Sequence, residues 1–394
     1  MVPARPPDDE RSVAIALRIW LSSAGVATTQ VMQLLRKNPD GVDVSIYASN
    51  VDPDAPALSA CDVAAVEPRH VGNDAYAEFA LDFCRRNRID VLIPPRRLTA
   101  LAGRAAEFAA IGTSLMCSPL SAVTVLTSKT RTYELASAAG LPVPPWRAVS
   151  DAAGLRAAVG ELSLTDERLC IKPTGEYSAF GFRILQDRPL SVDDLLAPPL
   201  PVASLDAVAG ALDRVVEQGG VAPELIVMPF LEGPEISVDC LSAPGGDLLV
   251  GVPRSKQGRY RLLLDDPVII DLAARLVEHF ELAYLTNVQF RHRHGEPVLL
   301  EANPRPSAGL FQTSFAGVNL PWAAVRLLLQ GDTGLRDAPR LGRTLAVTEA
   351  VMEVAPRPMA EAAVRAESTL APIITVGEEV SLPVPSVTPA AIAI

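Results

Sequence analysis

The residues best suited to chemistry in this chain stand at alternate positions in two short runs. One run carries Asn287 and Gln289, and the other carries Glu301, Asn303 and Arg305. Side chains two apart in a strand share a face, so each run presents its polar groups together. A Gly-Glu-Pro turn signal separates the runs and predicts an antiparallel hairpin on which the two sets of polar groups meet.

The donor set of this hairpin suits a hard cation and a phosphate. Oxygens from Gln289, Glu301 and Asn303 can ligate Mg²⁺, which prefers oxygen and commonly shares its shell with nucleotide phosphates; Mn²⁺ is a compatible alternative. Arg305 adds a guanidinium that can bind a phosphate or carboxylate through two hydrogen bonds. A half-solvated hairpin with a polar outer face is the other interpretation, and these residues alone leave both open.

A lysine-bearing strand precedes this hairpin in the chain. The apolar run Leu169–Pro173 contains Lys172 and leads into a turn with Gly175 and Ser178. Backbone N–H groups of such a turn can cover phosphates while the lysine supplies a charge beneath them. The turn is not a Walker A loop, because no Gly-Lys-Ser/Thr follows the glycines. An ordinary hairpin explains the same residues.

A third motif is an apolar strand that runs into a Gly-Pro hinge. The hinge leaves main-chain groups that can bind a base: the Pro229 carbonyl would accept from an adenine amino group, and the Leu231 N–H would donate to a ring nitrogen. Glu235 would accept from ribose hydroxyls. The alternative is a simple turn between two core strands.

Together these motifs resemble the ATP-grasp superfamily, and most of all its carbamoyl-phosphate-synthase-like branch of carboxylate–amine ligases. The resemblance rests on Lys-Pro with its glycine loop, Met-Pro-Phe-Leu-Glu-Gly-Pro-Glu, Asn-Val-Gln-Phe and Leu-Leu-Glu-Ala-Asn-Pro-Arg, in that order. It covers roughly residues 12–332. It implies an ATP-grasp fold of α/β class, with α+β character in the C-terminal part: an N-terminal parallel-sheet βαβ domain, a small lid and a large antiparallel-sheet domain.

The resemblance also implies roles for individual residues. Implied catalytic residues are Arg305, Lys172 and Arg254; implied nucleotide-binding residues are Lys129, Lys172, Gly175, Ser178, Pro229, Leu231, Glu235 and Lys256; implied metal ligands are Gln289, Glu301 and Asn303. Two positions depart from the family pattern: Ser128 replaces the usual Asp before Lys129, and Met228 replaces a polar side chain near adenine. Arg254 and Lys256 can equally be solvated charges on a loop.

The implied reaction is ATP-dependent formation of an amide bond through an acyl phosphate, with release of ADP. The expected substrates are small molecules, such as amino acids, that supply a carboxylate and an amine. Two alternatives stay open: activation of bicarbonate or carbamate, and a nucleotide-binding regulator without turnover. Fold-level analogy does not identify the substrate.

The charge and apolar content of the chain limit the classes of partner that it is expected to bind. A net charge of −11 disfavours nucleic acid and anionic membranes, and no apolar run reaches membrane-spanning length. The N-terminal residues lack the apolar core of a signal peptide. Five scattered cysteines without metal-ligand spacing indicate reduced thiols in a cytoplasmic protein. A homodimer is compatible with these data.

Apolar periodicity predicts the order of elements and domains. Strands are expected at Val13–Leu17, Val42–Tyr47, Asp90–Pro94 and Ser114–Cys117, and helices at Thr28–Arg36, Ala75–Arg86, Thr99–Ala109 and Lys129–Ala139. The expected domains are an N-terminal βαβ domain (residues 1–120) that does not itself bind nucleotide, a linker helix and lid (121–230), a large domain with the metal site (231–335), and a C-terminal appendage (336–394).

Overall fold

The described residues form three β-sheets in succession, of which the first is parallel and the third is antiparallel. The structure is a computed structural model that describes residues 16–165, 168–175, 180–188, 191–192, 196 and 200–348. All of these residues belong to one compact unit. The predicted appendage lies mostly outside the described residues, as do Ser178 and part of the glycine loop.

The first sheet is parallel, with strand order β3-β2-β1-β4-β5. Its strands are β1 (Leu17–Leu21), β2 (Val44–Asn50), β3 (Val63–Val66), β4 (Val91–Ile93) and β5 (Ser114–Leu115). The helices around it are α1 (Thr28–Arg36), α2 (Asn73–Asn87), α3 (Leu98–Ala102), α4 (Ala105–Ala110) and α5 (Leu120–Leu126), with a 3₁₀ turn at Pro56–Ala60. Ile19 packs into one core cluster and its neighbour Trp20 into another, so both faces of the central strand are buried.

Three details of this domain differ from the prediction. The first strand is Leu17–Leu21, and residues 13–15 of the predicted strand lie outside the described residues. Arg18 is tolerated inside the strand because its backbone N–H donates to the Asp90 carboxylate over 2.7 Å. The predicted helix over 99–109 is two helices, broken at Gly103 and Arg104. The strand β3 and the helix α5 were not predicted, being too short for periodicity to reveal.

The second sheet has the order β6-β10-β7-β8-β9. Its strands are β6 (Arg147–Val149), β7 (Leu169–Pro173), β8 (Arg183–Leu185), β9 (Val202–Ala203) and β10 (Leu225–Pro229), and its helices are α7 (Ala152–Leu162) and α8 (Leu205–Glu217), with a 3₁₀ turn at Ser163–Thr165. The connecting helix α6 (Lys129–Ala138) precedes this sheet and is capped by the Ser128 side chain. The predicted lysine strand is thus the middle strand β7, which pairs antiparallel with β8 and β10.

The third sheet is antiparallel, with the order β15-β14-β11-β12-β13-β16. Its strands are β11 (Ile236–Ala243), β12 (Asp247–Gln257), β13 (Tyr260–Leu263), β14 (Tyr284–Arg293), β15 (Glu296–Asn303) and β16 (Arg343–Ala346). The helices α9 (Pro267–His279) and α10 (Leu320–Gln330) accompany it, with a 3₁₀ turn at Leu310–Ala316. Helix α9 packs into one core cluster of this sheet, while α10 shares another with the N-terminal sheet.

The predicted fold class is confirmed: a parallel N-terminal sheet precedes an antiparallel C-terminal one. The domain boundaries stay predictions. All five cysteines lie in the described part of the chain, and none forms a disulfide. Among the described residues, no helix is long and apolar enough to cross a membrane.

Candidate functional site

The predicted polar hairpin is formed by β14 and β15. Gln289 lies opposite Glu301, and Asn287 lies opposite Asn303. Their neighbours Val288 and Phe290 are fully buried in the core. The apolar face thereby fixes which side the polar residues occupy.

A β-bulge interrupts the hairpin beside these residues. The register pairs Gln289 with Glu301 but Phe290 with Leu299, so Leu300 has no opposite residue. The Leu300 carbonyl instead accepts hydrogen bonds from Tyr133 Oη at 2.8 Å and from Lys172 Nζ at 3.2 Å. The bulge thus ties the hairpin to α6 and to the lysine strand β7.

Lys172 is held in a partly buried position. Its Nζ lies 3.2 Å from Tyr133 Oη and 5.3 Å from the centroid of the same ring. Burial lowers the pKa of Lys172, while the nearby carboxylate of Glu301 raises it. An anionic ligand would stabilise the charged form of Lys172, because its negative charge favours the ammonium that burial disfavours.

The hairpin forms one wall of a cavity of about 530 Å³, here called the hairpin cavity. The predicted residues that line it are Lys172, Leu231, Glu235, Lys256, Gln289, Glu301, Asn303 and Arg305. Apolar walls come from Cys170, Phe182, Met228 and Phe230. A pocket lined by both apolar and charged side chains suits a nucleotide.

The remaining predicted residues lie elsewhere. Lys129 and Gly175 line a neighbouring cavity instead. Pro229 is buried at the end of β10, where its carbonyl accepts a hydrogen bond from Cys170 Sγ at 3.8 Å. Ser178 lies outside the described residues.

The donor chemistry of the hairpin fits Mg²⁺. Among the described residues no group of three or more His, Cys, Asp or Glu side chains can hold a metal. The single carboxylate of Glu301 stands instead among the amides of Gln289 and Asn303. The Gln289 Nε2 donates to Asn287 Oδ1 at 3.1 Å, so its Oε1 is the atom that can reach a ligand. One carboxylate with two amide oxygens suits a cation that also shares phosphate oxygens.

Arg254 does not lie on a loop, as one sequence interpretation had it, but inside β12 and buried. Its Nε donates to the fully buried Asp239 at 2.6 Å, and its other nitrogens lie 3.1 Å from Gln312 Oε1 and 2.9 Å from Ser307 Oγ. Lys256, two residues later in β12, is exposed and lines the hairpin cavity. Only the second of these two basic residues faces the cavity.

The Arg254–Asp239 pair organises the residues around it. Ser307 Oγ donates to Asp239 Oδ1 at 2.6 Å, and Asn287 Nδ2 lies 3.2 Å from the same oxygen. A Cβ at Gly309 would lie 2.5 Å from Arg254 Nη1, so only glycine leaves room for the guanidinium there. The network therefore connects the base of the hairpin to the turn that follows Arg305. Sequence reasoning missed its partners Asp239 and Ser307, because their spacing shows no common pattern.

The neighbouring cavity, here called the loop cavity, has a volume of about 650 Å³. It shares Leu300, Glu301, Asn303 and Arg305 with the hairpin cavity. Its other wall includes residues at or just beyond the ends of strands of the parallel sheet, namely Ser23, Asn50, Glu67, Arg96 and Arg97. Ligands of open α/β sheets bind at this edge, beyond the carboxyl ends of the strands.

Glu67 fixes the conformation of one of these segments. Its carboxylate is buried and accepts hydrogen bonds from the Ser23 N–H, from Ser23 Oγ at 2.9 Å and from Ser49 Oγ at 2.7 Å. Ser23 has a φ of +46°, a left-handed conformation that non-glycine residues seldom adopt. The carboxylate thus stabilises a turn that the backbone alone would disfavour.

Comparison with known proteins agrees with this geometry. Residues 221–351 match the family model described as "ATP-grasp in the biosynthetic pathway with Ter operon", and residues 19–116 match the PylC-like N-terminal domain. A search of curated proteins finds no match to this sequence.

Solved structures with the same fold have distant sequences. N5-carboxyaminoimidazole synthetase from Staphylococcus aureus complexed with ADP is 13% identical, with a TM-score of 0.60, over 84% of this chain and 82% of that one. The biotin carboxylase domain of Hydrogenobacter thermophilus 2-oxoglutarate carboxylase is 16% identical, with a TM-score of 0.59, over 83% and 73%. L-amino acid ligase from Bacillus licheniformis is 14% identical, with a TM-score of 0.55, over 80% and 74%.

The sequence motifs, the sheet order and the family matches lead to one assignment. Residues 221–351 match an ATP-grasp family model, and the chain shares its fold with the synthetase, the carboxylase domain and the ligase described above, so the predicted resemblance to the ATP-grasp superfamily and the classification as an ATP-grasp ligase are confirmed.

Proposed function

We propose that this protein joins a small-molecule carboxylate to an amine at the expense of ATP, through an acyl phosphate. One observation carries the proposal: the hairpin cavity and the loop cavity share Glu301, Asn303 and Arg305. A nucleotide in the first cavity and a carboxylate in the second would meet at these three side chains. That arrangement supplies the proximity that phosphoryl transfer requires.

In the hairpin cavity, Met228 and Phe230 would flank the base, Leu231 would contact it through its main chain, and Glu235 would accept from ribose hydroxyls. Lys172 and Lys256 would neutralise phosphate charge. Mg²⁺ would be held by Gln289, Glu301 and Asn303 and would supply further charge neutralisation. Lys129 and Gly175 would act from the loop-cavity side.

The proposed reaction needs no covalent intermediate with the enzyme. A carboxylate oxygen attacks the γ-phosphorus, the bond from phosphorus to the β,γ-bridging oxygen breaks, and ADP leaves. The amine nitrogen then attacks the acyl carbon, inorganic phosphate leaves, and the amine proton passes to solvent. Arg305 would hold the acid and then the acyl phosphate, because its guanidinium can bind oxyanions through two hydrogen bonds.

Bicarbonate is the alternative acid. The biotin carboxylase domain of the Hydrogenobacter thermophilus protein was solved in complex with bicarbonate, together with ADP and its magnesium salt. The loop cavity of the present chain, at about 650 Å³, has room for more than bicarbonate alone, which supports an organic molecule as at least one of the two substrates.

The test is a screen for ADP release with purified protein, ATP and Mg²⁺, over amino acids and small carboxylic acids, with mass detection of products. Hydroxylamine in place of the amine should trap the activated acid as a hydroxamate. Glu301→Gln is the matched control, since it keeps the shape of the side chain and removes its charge. ADP release with bicarbonate alone would favour the carboxylating alternative, and ADP release with no acid at all would contradict the proposal.

We further propose that the protein is a cytoplasmic homodimer. Reduced, mostly buried cysteines support a cytoplasmic location. The carboxylase domain relative is described as a dimer, and we extend that as a proposed homodimer to be tested by light scattering.

A further inference from the structure

A third cavity, here called the apolar cavity, opens beside Arg305 and has a volume of about 570 Å³. Its floor and walls come from the segment that follows β1, the first turn of α1 and the 3₁₀ turn at Leu310–Ala316. The apolar side chains that line it include Val26, Ala27, Val31, Leu285, Leu310 and Phe311. It shares Arg305, Ser307 and Ala308 with the hairpin cavity.

The two cavities on the N-terminal side therefore differ in character. The loop cavity is lined by Asn50, Glu67, Asn73 and Lys129, among other residues, and suits a polar ligand. The apolar cavity offers mostly hydrocarbon, with cationic groups at the edge that it shares with the loop cavity, where Arg96 and Arg305 line both. A ligand that fills it gains by burying apolar surface.

Two residues that line the apolar cavity carry a buried polar atom without a hydrogen-bond partner among the described residues. These atoms are Gln30 Oε1, on α1, and Ser22 Oγ, in the segment that follows β1. Buried acceptors left without a donor are unfavourable, so such an atom indicates a missing donor. With a small rotation of the Gln30 side chain towards the cavity, a ligand with an N–H or O–H group would supply it.

From these features we infer that the acid substrate is an apolar carboxylate that also carries a hydrogen-bond donor, with an apolar α-amino acid as the simplest member of that class. Its hydrocarbon part occupies the apolar cavity, its donor meets Gln30 Oε1, and its carboxylate lies against Arg305. The inference rests on the proposed ligase function and adds the substrate class to it. Arg305 lines both cavities, so the carboxylate stays at the edge of the loop cavity, and the amine substrate occupies the rest of that cavity.

Pairs of amino acids with equal shape and different polarity test the class. Leucine against asparagine, and valine against threonine, are compared as the activated acid by hydroxamate trapping. The apolar member of each pair should give a kcat/KM higher by at least about tenfold, because a hydroxyl or amide in a hydrocarbon cavity lacks a partner. Equal or better trapping of the polar members would overturn the inference while leaving the ligase function intact. Failure of every acid would overturn both.

Two variants link the preference to this cavity. Ala27→Phe fills it, and the KM for the trapped acid should rise at least about tenfold while the KM for ATP stays within about twofold. Ala207→Phe, at an exposed position on α8, is the matched control for the added ring and should change neither. Unchanged KM values in a folded Ala27→Phe protein would contradict the placement.

Gln30→Leu tests the donor independently of cavity filling. The wild type should prefer leucine over 4-methylpentanoate, which has the same hydrocarbon part without the amino group. Gln30→Leu should reduce that preference at least about fivefold, because the acceptor of the amino group is gone. A preference that is unchanged in the variant would overturn the role of Gln30.

Discussion

Two regions supply the candidate site, and they hold their residues in different ways. The antiparallel sheet carries Gln289, Glu301 and Asn303 inside strands, where ladder hydrogen bonds and a buried network fix each backbone. The parallel sheet contributes Ser23 and Arg96 from segments that follow its strands. The first region would perform the chemistry common to any acid, and the second would select the acid.

The hairpin and the loops of the parallel sheet should differ in how well they tolerate amino-acid substitutions. A strand residue in the hairpin cannot move without disturbing its paired neighbour, since Gln289 and Glu301 face each other directly. Loop residues beyond the parallel strands can vary in type and length while the sheet beneath them persists. Substitutions should therefore abolish turnover in the first region and alter substrate affinity in the second.

The largest effect is expected for Glu301→Gln. This change removes the one carboxylate of the proposed metal site, so ADP release should fall by roughly a thousandfold or more. A coupled ADP assay at saturating Mg²⁺ measures it, and circular dichroism checks that the fold is retained. Turnover at the wild-type rate would remove Glu301 from the metal site.

The next effect concerns the buried pair beneath the hairpin. Arg254→Met leaves Asp239 buried and uncompensated, and should lower the free energy of unfolding by about 3–5 kcal/mol in denaturant titration. The double change Arg254→Met with Asp239→Leu should recover much of that stability.

ADP release separates positioning from mere stability in the same pair. The double variant should remain strongly impaired in kcat, because Asn287 and Ser307 have lost the carboxylate that orients them. A stable double variant with normal kcat would show that the network only supports the fold.

A smaller difference separates the two lysines. Lys172→Ala should weaken ATP binding by roughly 10- to 100-fold in calorimetry, since charged hydrogen bonds to phosphate are lost. Lys129→Ala should weaken it less, because Lys129 lines the loop cavity and not the hairpin cavity. Equal ATP affinity in the wild type and the Lys172 variant would contradict the proposed phosphate site.

The smallest effect lies in the loop region. Glu67→Gln keeps the size of the side chain but can no longer accept from Ser23 and Ser49 with a full charge. The KM for the acid should rise a few-fold, with kcat within about twofold of the wild type, because the turn at Ser23 is loosened and the hairpin is untouched. A large fall in kcat instead would indicate that Glu67 takes part in the reaction. It would contradict the proposed division of roles between the two regions.

The same division explains what the sequence could predict. The hairpin that brings Gln289, Glu301 and Asn303 together was predicted correctly, because alternate spacing in a strand is visible in a short window. The helix Thr28–Arg36 was likewise placed with both ends correct. The end of β1 was not, because Arg18 interrupts an apolar run and only the folded structure shows how its backbone is satisfied.

Residues that come together from distant parts of the chain left no such signal. Glu67 and Ser23 are 44 positions apart, and they meet only because β1 and β3 both run towards the same edge of the sheet. The ion pair of Arg254 was missed for a similar reason, since Asp239 reaches it through the pairing of β11 with β12. Local periodicity records the faces of strands, and tertiary topology decides which faces meet.

The most direct test of acyl-phosphate formation follows one oxygen atom. The acid substrate identified by hydroxamate trapping is labelled with oxygen-18 in its carboxylate. It is then incubated with the enzyme, ATP and the amine substrate. The proposed mechanism predicts one labelled oxygen in the released inorganic phosphate, because the carboxylate oxygen that attacks the γ-phosphorus leaves with it. Label that stays wholly in the product, or that appears in AMP with release of pyrophosphate, would contradict activation by an acyl phosphate.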